Sequence, residues 1–203
     1  MIKLYHSPRS RSVRVRWLLE ELGLPYELVQ RAYKPPALPF AQDSPMGKFP
    51  ALEDGPIVMI ESGAIVEYLL EQYGAGRLGP RAGEPGRAAF LQWLHFAEAT
   101  LLPPVLEILR HTLLKPEAER IAAVVTDGQA RAGRTLDVLE GELGDKRYLL
   151  GDEFTAADIM MAYGLQWAQQ FGLLDSRPKL AAYLQRLLAR PAAVRAAEVS
   201  ADW

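Results

Sequence analysis

The sequence predicts an α/β domain followed by an all-α domain, and three observations predict it. Over residues 1–78 short apolar strands alternate with helical spacing; residues 79–86 are rich in glycine and proline; over residues 87–203 the apolar pattern is helical throughout. Ile2-Lys3-Leu4-Tyr5 reads as the first strand. Ser12 to Gly23 follows as a helix that turns Val13, Trp17, Leu18 and Leu22 inward. Tyr26 to Val29 is a second strand, and the proline-rich stretch Lys34 to Pro45 is a loop. Phe49 to Leu52 and Ile57 to Ile60 are two further strands around the turn Glu53-Asp54-Gly55-Pro56, and a helix starts at Glu61 with Ile65, Val66, Leu69 and Leu70 on one face. Helices are then expected at about 87–114, 117–142, 155–170 and 177–189, with a short one near 191–198. A βαβ unit joined to a ββα unit is the thioredoxin-like arrangement.

Composition bounds the function. The 203 residues are 49% hydrophobic and 24% charged, with a formal net charge of −2, an ordinary globular balance with no field to recruit nucleic acid or an anionic membrane. No apolar run approaches the roughly 20 residues of a membrane helix, the start of the chain is already strand-like, and a cytoplasmic setting is expected. With no cysteine, disulfides, thiolate metal sites and a cysteine nucleophile are excluded. His6, His95 and His111 have no metal-ligand spacing, so neither a metal nor a bound cofactor is expected. Arg9, Arg11, Arg14 and Arg16 form a basic face, for which solvation is sufficient explanation.

The most informative pair is Glu61-Ser62, eleven residues after Pro50 and its apolar neighbours. Helix capping explains an acid and a serine at a helix start without any ligand. With an extended proline segment nearby, however, the pair can hold a zwitterion: the carboxylate takes an ammonium, and the hydroxyl with the free amides of the helix start takes a carboxylate. Thr155 and Asp158 have the spacing of a capping box, flanked by Phe154 and Ile159.

Gly47-Lys48-Phe49-Pro50-Ala51-Leu52 followed by Glu61-Ser62, together with Pro8 to Arg14 and Gly151 to Ile159, resembles the glutathione transferase family over the whole chain. The resemblance implies a thioredoxin-like domain over residues 1–78, a linker at 79–86 and an all-helical domain over 87–203, assembled as a homodimer. It implies glutathione as co-substrate and a small hydrophobic electrophile as its partner in conjugation, with peroxide reduction as a side activity. The alternative is a non-catalytic, glutathione-binding or regulatory member of the same fold.

By the same resemblance, Phe49 offers backbone groups to the cysteinyl part, Pro50 follows a cis bond, Glu61 takes the γ-glutamyl ammonium, and Ser62 takes its carboxylate. Lys48, and less directly Lys34, faces the glycyl carboxylate. The sulfur is activated at the first helix's entry, with Ser10 placed first and Tyr5, Arg11 and Ser12 left as alternatives. Ser12 is also expected as the helix N-cap. His6, Trp93 and Phe96 are expected beside the second substrate, near His95, Glu98, Leu101 and Leu102. Asp158 is implied to be structural.

Overall fold

The structure, a computed structural model, describes residues 1–31, 44 and 47–198. Two units divide it: Met1–Arg81 together with the chain from Leu188 onward, and Ala82–Leu187.

The first unit is built on a sheet of order β2-β1-β3-β4, from β1 (Ile2–His6), β2 (Tyr26–Gln30), β3 (Ala51–Asp54) and β4 (Ile57–Ile60). β1 and β2 run parallel across helix α1 (Ser12–Leu22), while β3 is antiparallel to both β1 and β4. This is the thioredoxin-like domain of the sequence reading. Side chains alternate faces along a strand, so Leu4 and Leu52, opposite each other in the ladder, go to one face at 0% exposure; Val15, Leu18, Leu19 and Ile65 on the helices are equally buried. Tyr5 and Ala51 go to the other, where they pack with Phe49, Val29 and Ile60. β3 starts at Ala51 rather than Phe49, since ladder pairing with β1 and β4 begins only after Pro50. Helix α2 (Ser62–Leu69) follows β4 and widens into a π-turn at Leu70–Gly74.

The second unit is helical. The expected helix at 87–114 is a helical run with two π-turns: α3 (Arg87–Phe96), a wide turn at Ala97–Leu101, α4 (Leu102–Leu109), and a second wide turn at Arg110–Leu114. Pro103 and Pro104 lack the N–H a regular helix needs and crowd the preceding turn; the first wide turn lies directly before them. α5 (Ala122–Leu143) starts later than expected, since Pro116 leads into a 3₁₀ turn at Glu117–Glu119 and Ile121 is extended. α4 lies close against α5 over Gly128, where a Cβ would come 3.0 Å from the Pro104 carbonyl oxygen.

α6 (Ala156–Gln170) begins on the Thr155–Asp158 capping box. Asp158 is 0% exposed and accepts from the backbone N–H groups of Leu149 (3.0 Å) and Thr155 (2.8 Å), the Thr155 hydroxyl (3.1 Å) and the Tyr183 hydroxyl of α7 (Pro178–Leu188) at 2.6 Å. Phe154 packs edge-on against Tyr148.

The C-terminal helix α8 (Pro191–Ala197) differs from the domain boundary expected at 87–203: it belongs to the first unit, packed on α1. Ala192, Ala193 and Ala196 are buried, Arg190 clasps Glu21 at 2.6 and 2.9 Å, and Arg195 bonds Glu20 at 2.7 Å. Arginines in the last residues facing acids on α1 bring the chain back to the sheet domain. Among the described residues no helix is long and apolar enough to cross a membrane.

Candidate active site

Strand register assembles the site. Tyr5 near the end of β1 lies opposite Ala51 at the start of β3, which lies opposite Ile60 at the end of β4. The loop after β1, the Phe49-Pro50 bond before β3 and the Glu61-Ser62 pair after β4 therefore leave one end of the sheet side by side. Two strand spacings are about 10 Å, and three extended residues span roughly 10 Å. An extended tripeptide fits that width.

The loop after β1 is held by serines. Ser12 is 0% exposed; its Oγ accepts the Ser7 N–H at 3.1 Å and lies 2.8 Å from His6 Nδ1, 2.7 Å from Ser10 Oγ and 3.2 Å from the Ser7 carbonyl oxygen. Ser10 keeps partial exposure, and its Oγ accepts the Ser12 N–H at 3.3 Å. The N-cap position itself falls on Arg11, whose side chain makes no capping bond. Ser12 is thus not the N-cap; its hydroxyl anchors the loop from inside, and Ser10 is the hydroxyl that reaches toward the surface. Arg9, with φ 61°, bends the loop. His6 is 2% exposed; burial, with Arg16 nearby, pushes its imidazole down to about 4, so the ring is neutral at physiological pH.

Tyr5 is placed differently from a sulfur donor. Its hydroxyl donates to Glu53 Oε1 at 2.6 Å, and its ring is buried with Phe49 and Ala51. Arg11 is half-buried beside the serines.

The Phe49–Pro50 peptide is cis, as the resemblance implied. Ser44, 0% exposed, prepares this segment: its hydroxyl donates to the Lys48 carbonyl at 3.0 Å and accepts the Lys48 N–H at 3.3 Å, while its carbonyl accepts the Gly47 N–H at 2.8 Å. Gly47 sits at φ 58°, which a side chain rarely adopts. The Lys48 side chain is exposed.

Glu61 precedes α2 at φ 72°, ψ 106°, with its side chain exposed and making no capping bond, so capping does not account for it. Its carbonyl accepts the Ile65 N–H at 2.9 Å. Ser62 is 3% exposed, and its Oγ accepts from Arg14 Nη1 at 3.3 Å. Arg14 itself is 1% exposed, a buried cation beneath a helix start that already favours anions.

Comparison with known proteins gives the family. The family "Glutathione S-transferase, N-terminal domain" matches residues 4–81, and "Glutathione S-transferase, C-terminal domain" matches residues 101–191. A glutathione S-transferase of Hyoscyamus muticus is 32% identical, over 97% of this chain and 98% of its own. The chain belongs to the glutathione S-transferase family. A glutathione transferase family member from Pseudomonas fluorescens, crystallised with two glutathione molecules, superposes with a TM-score of 0.86 at 28% identity, covering 97% of this chain and 92% of its own. Ure2p5 of Phanerochaete chrysosporium, cocrystallised with 1-(S-glutathionyl)-2,4-dinitrobenzene, gives 0.82 at 26% identity, over 96% of this chain and 92% of its own.

For a glutathione transferase the residues expected beside the second substrate fall out unevenly. Trp93 is 4% exposed and meets Phe96 edge-on at 5.1 Å, while Phe96 keeps partial exposure. His6 has no wall to offer, since it is buried against Ser12. Lys34 lies outside the described residues. Sequence reasoning missed Ser44, Arg14 and Glu53. The Ser-Pro-x-Gly run from Ser44 to Gly47 was a legible turn signal; nothing in sequence marks Arg14 among the neighbouring arginines, or pairs Glu53 with Tyr5.

Proposed function

We propose that this glutathione transferase holds glutathione extended across the end of its sheet and joins the sulfur to electrophilic carbon. Phe49 pairs its backbone with the cysteinyl part beside Pro50. Glu61 takes the γ-glutamyl ammonium, and Ser62, backed by Arg14, takes the adjoining carboxylate. Lys48 faces the glycyl carboxylate, and Ser10 donates its hydroxyl to the sulfur. The observation that carries this reading is the Tyr5–Ala51–Ile60 register, which sets these segments in one row.

A free thiol of pKa about 8.5 is only a few per cent ionised at neutral pH; lowering it by about two units takes roughly 2.7 kcal/mol of preferential thiolate binding. The Ser10 hydroxyl and the amides at the start of α1 are the sources available. The thiol proton leaves to water. The thiolate pair forms the C–S bond, and the displaced group departs with the pair that held it.

The dinitrobenzene conjugate bound to a relative of the same fold supports activated aryl halides as one electrophile class. Phe96, with surface to offer, suits such a ring better than buried Trp93. The same thiolate can attack a peroxide bond, which is the basis for the side activity. A homodimer is part of the reading, supported by edge strand β4, which leaves Ile57 and Val58 39% and 59% exposed; light scattering checks it.

The test is conjugation of 1-chloro-2,4-dinitrobenzene together with titration of the ultraviolet thiolate band of bound glutathione. Ser10→Ala is expected to raise the bound thiol pKa by about one to two units, and Tyr5→Phe to leave it in place. A Ser10→Ala protein with an unshifted thiol removes Ser10 from the role; binding without turnover over a broad electrophile panel removes the conjugation reading.

A further inference from the structure

The interior of the loop after β1 carries more hydrogen-bonding groups than a sulfur site requires. Ser12 Oγ has one proton and two lone pairs, yet it stands within reach of Ser7 N–H, Ser7 carbonyl oxygen, His6 Nδ1 and Ser10 Oγ. The Ser7 N–H can only donate, so it occupies one lone pair. The Ser7 carbonyl oxygen can only accept and competes for the one Ser12 proton at 3.2 Å. Where that proton goes to one of the two shorter contacts instead, His6 at 2.8 Å and Ser10 at 2.7 Å share what is left in two ways.

In the first, His6 carries its proton on Nδ1 and donates to Ser12. Ser12 then gives its proton to Ser10 at 2.7 Å, the shorter of its two remaining acceptors, ahead of the Ser7 carbonyl oxygen at 3.2 Å. Ser10 Oγ also accepts the Ser12 N–H at 3.3 Å, so both its lone pairs are occupied and its own proton faces the sulfur. In the second, Nδ1 is bare and draws the Ser12 proton. Ser10 then donates inward to Ser12, and the sulfur meets a lone pair. The tautomer of one buried ring sets the direction of the whole chain.

We propose that His6 and Ser12 are positioning residues, a buried donor chain running from His6 Nδ1–H through Ser12 to Ser10 that turns the Ser10 hydroxyl onto the glutathione sulfur. The inference rests on the reading of Ser10 as the sulfur's donor. An anion at the sulfur position selects the outward chain, because the inward one sets a lone pair against a thiolate. Donors aligned head to tail also strengthen one another in a buried setting. Because the ring stays neutral down to about pH 4, its tautomer rather than its charge is the variable. No proton travels along the chain; the thiol proton still leaves to water.

The experiment uses the full-length protein with glutathione and reads the thiolate band and the acid limb of kcat/KM against pH, for Ser10→Ala, Ser12→Ala, His6→Phe and His6→Asn. Asparagine can place an amide N–H where Nδ1–H stood, and phenylalanine fills the space without a donor. His6→Phe and Ser12→Ala are expected to raise the bound thiol pKa by about one unit, a tenfold loss of thiolate on the acid side, and His6→Asn to restore most of it. Should Ser12→Ala fail to fold, having left the Ser7 N–H without its acceptor, the two His6 variants decide alone. A purely structural role lowers the melting temperature and leaves the thiol pKa in place; that result in folded His6→Phe, with Ser10→Ala still raising the pKa, overturns the chain and spares Ser10. Equal pKa values in His6→Asn and His6→Phe overturn the donor role of the ring. An unshifted thiol in Ser10→Ala overturns the reading beneath it.

Discussion

Glu61 holds φ 72°, ψ 106° without glycine's freedom, at the entrance to α2. A side chain in so sparsely populated a region costs of order 1–3 kcal/mol and persists when something else requires that residue. Its carboxylate makes no capping bond and is exposed, which is the ground for the proposed ligand role. Glu61→Gly tests this. Glycine releases the strain and is a tolerable N-cap, so the variant is expected to melt at the same or a higher temperature, with a gain of up to about 1 kcal/mol, while affinity for immobilised glutathione drops at least tenfold. A destabilised variant that still binds would show that Glu61 serves the helix and not the tripeptide. The pair was readable in sequence because an acid and a serine at a helix entrance are local features. The positive φ was not, since it follows from how β4 hands the chain to α2.

At the scale of elements, local signals were the legible ones. Alternation gave the strands, and helical period gave the helices; Thr155 and Asp158 announced the start of α6 three residues apart. Long-range pairings were not legible. Tyr5 finds Glu53 through sheet register, Tyr183 finds Asp158 through α7 packing, and Arg14 finds Ser62 across 48 positions. The π-turn before Pro103-Pro104 and the late start of α5 were open to a closer reading of the prolines.

Asp158 shows what such a pairing is worth. Burial pushes its carboxyl above the ordinary value of 3.8, opposed by hydrogen bonds from Leu149, Tyr183 and Thr155. Asp158→Ala strands four donors, three of them on the segments entering α6 and one on α7. The expected loss is about 3 kcal/mol or more, read as a lower denaturation midpoint and reduced folded yield. The protein that does fold should bind glutathione as before, since Asp158 lies in the second unit and every residue of the proposed tripeptide site lies in the first. Stable Asp158→Ala protein lacking glutathione binding would contradict a purely structural role.

For the whole molecule, the C-terminal residues complete the domain that the N-terminal residues begin. α8 packs on α1, the helix that carries Ser12 and Arg14 and follows Ser10, so the last helix stabilises the frame of the site. The Glu21–Arg190 clasp is a partly enclosed polar contact at its start, with side chains 10% and 28% exposed. Burial pushes the Glu21 carboxyl up, but hydrogen bonds from Arg190 and Trp17 and the charges of Arg190 and Arg195 outweigh it, leaving it below its ordinary 4.5. A carboxyl depressed in the fold adds stability above its unfolded value, and that stability is lost as pH falls through the folded value. The clasp therefore acts fully at neutral pH and fades below about 4.5. Arg190→Ala is expected to cost about 1–2 kcal/mol at neutral pH, a fall of roughly 2–4 °C per kcal/mol for a chain of this size. Melting curves of both proteins from neutral to acid pH should converge as Glu21 takes up its proton. A gap between them that stays constant with pH would assign the loss to packing of the arginine stem, and the charge on Glu21 would then have no part in holding α8 to the domain.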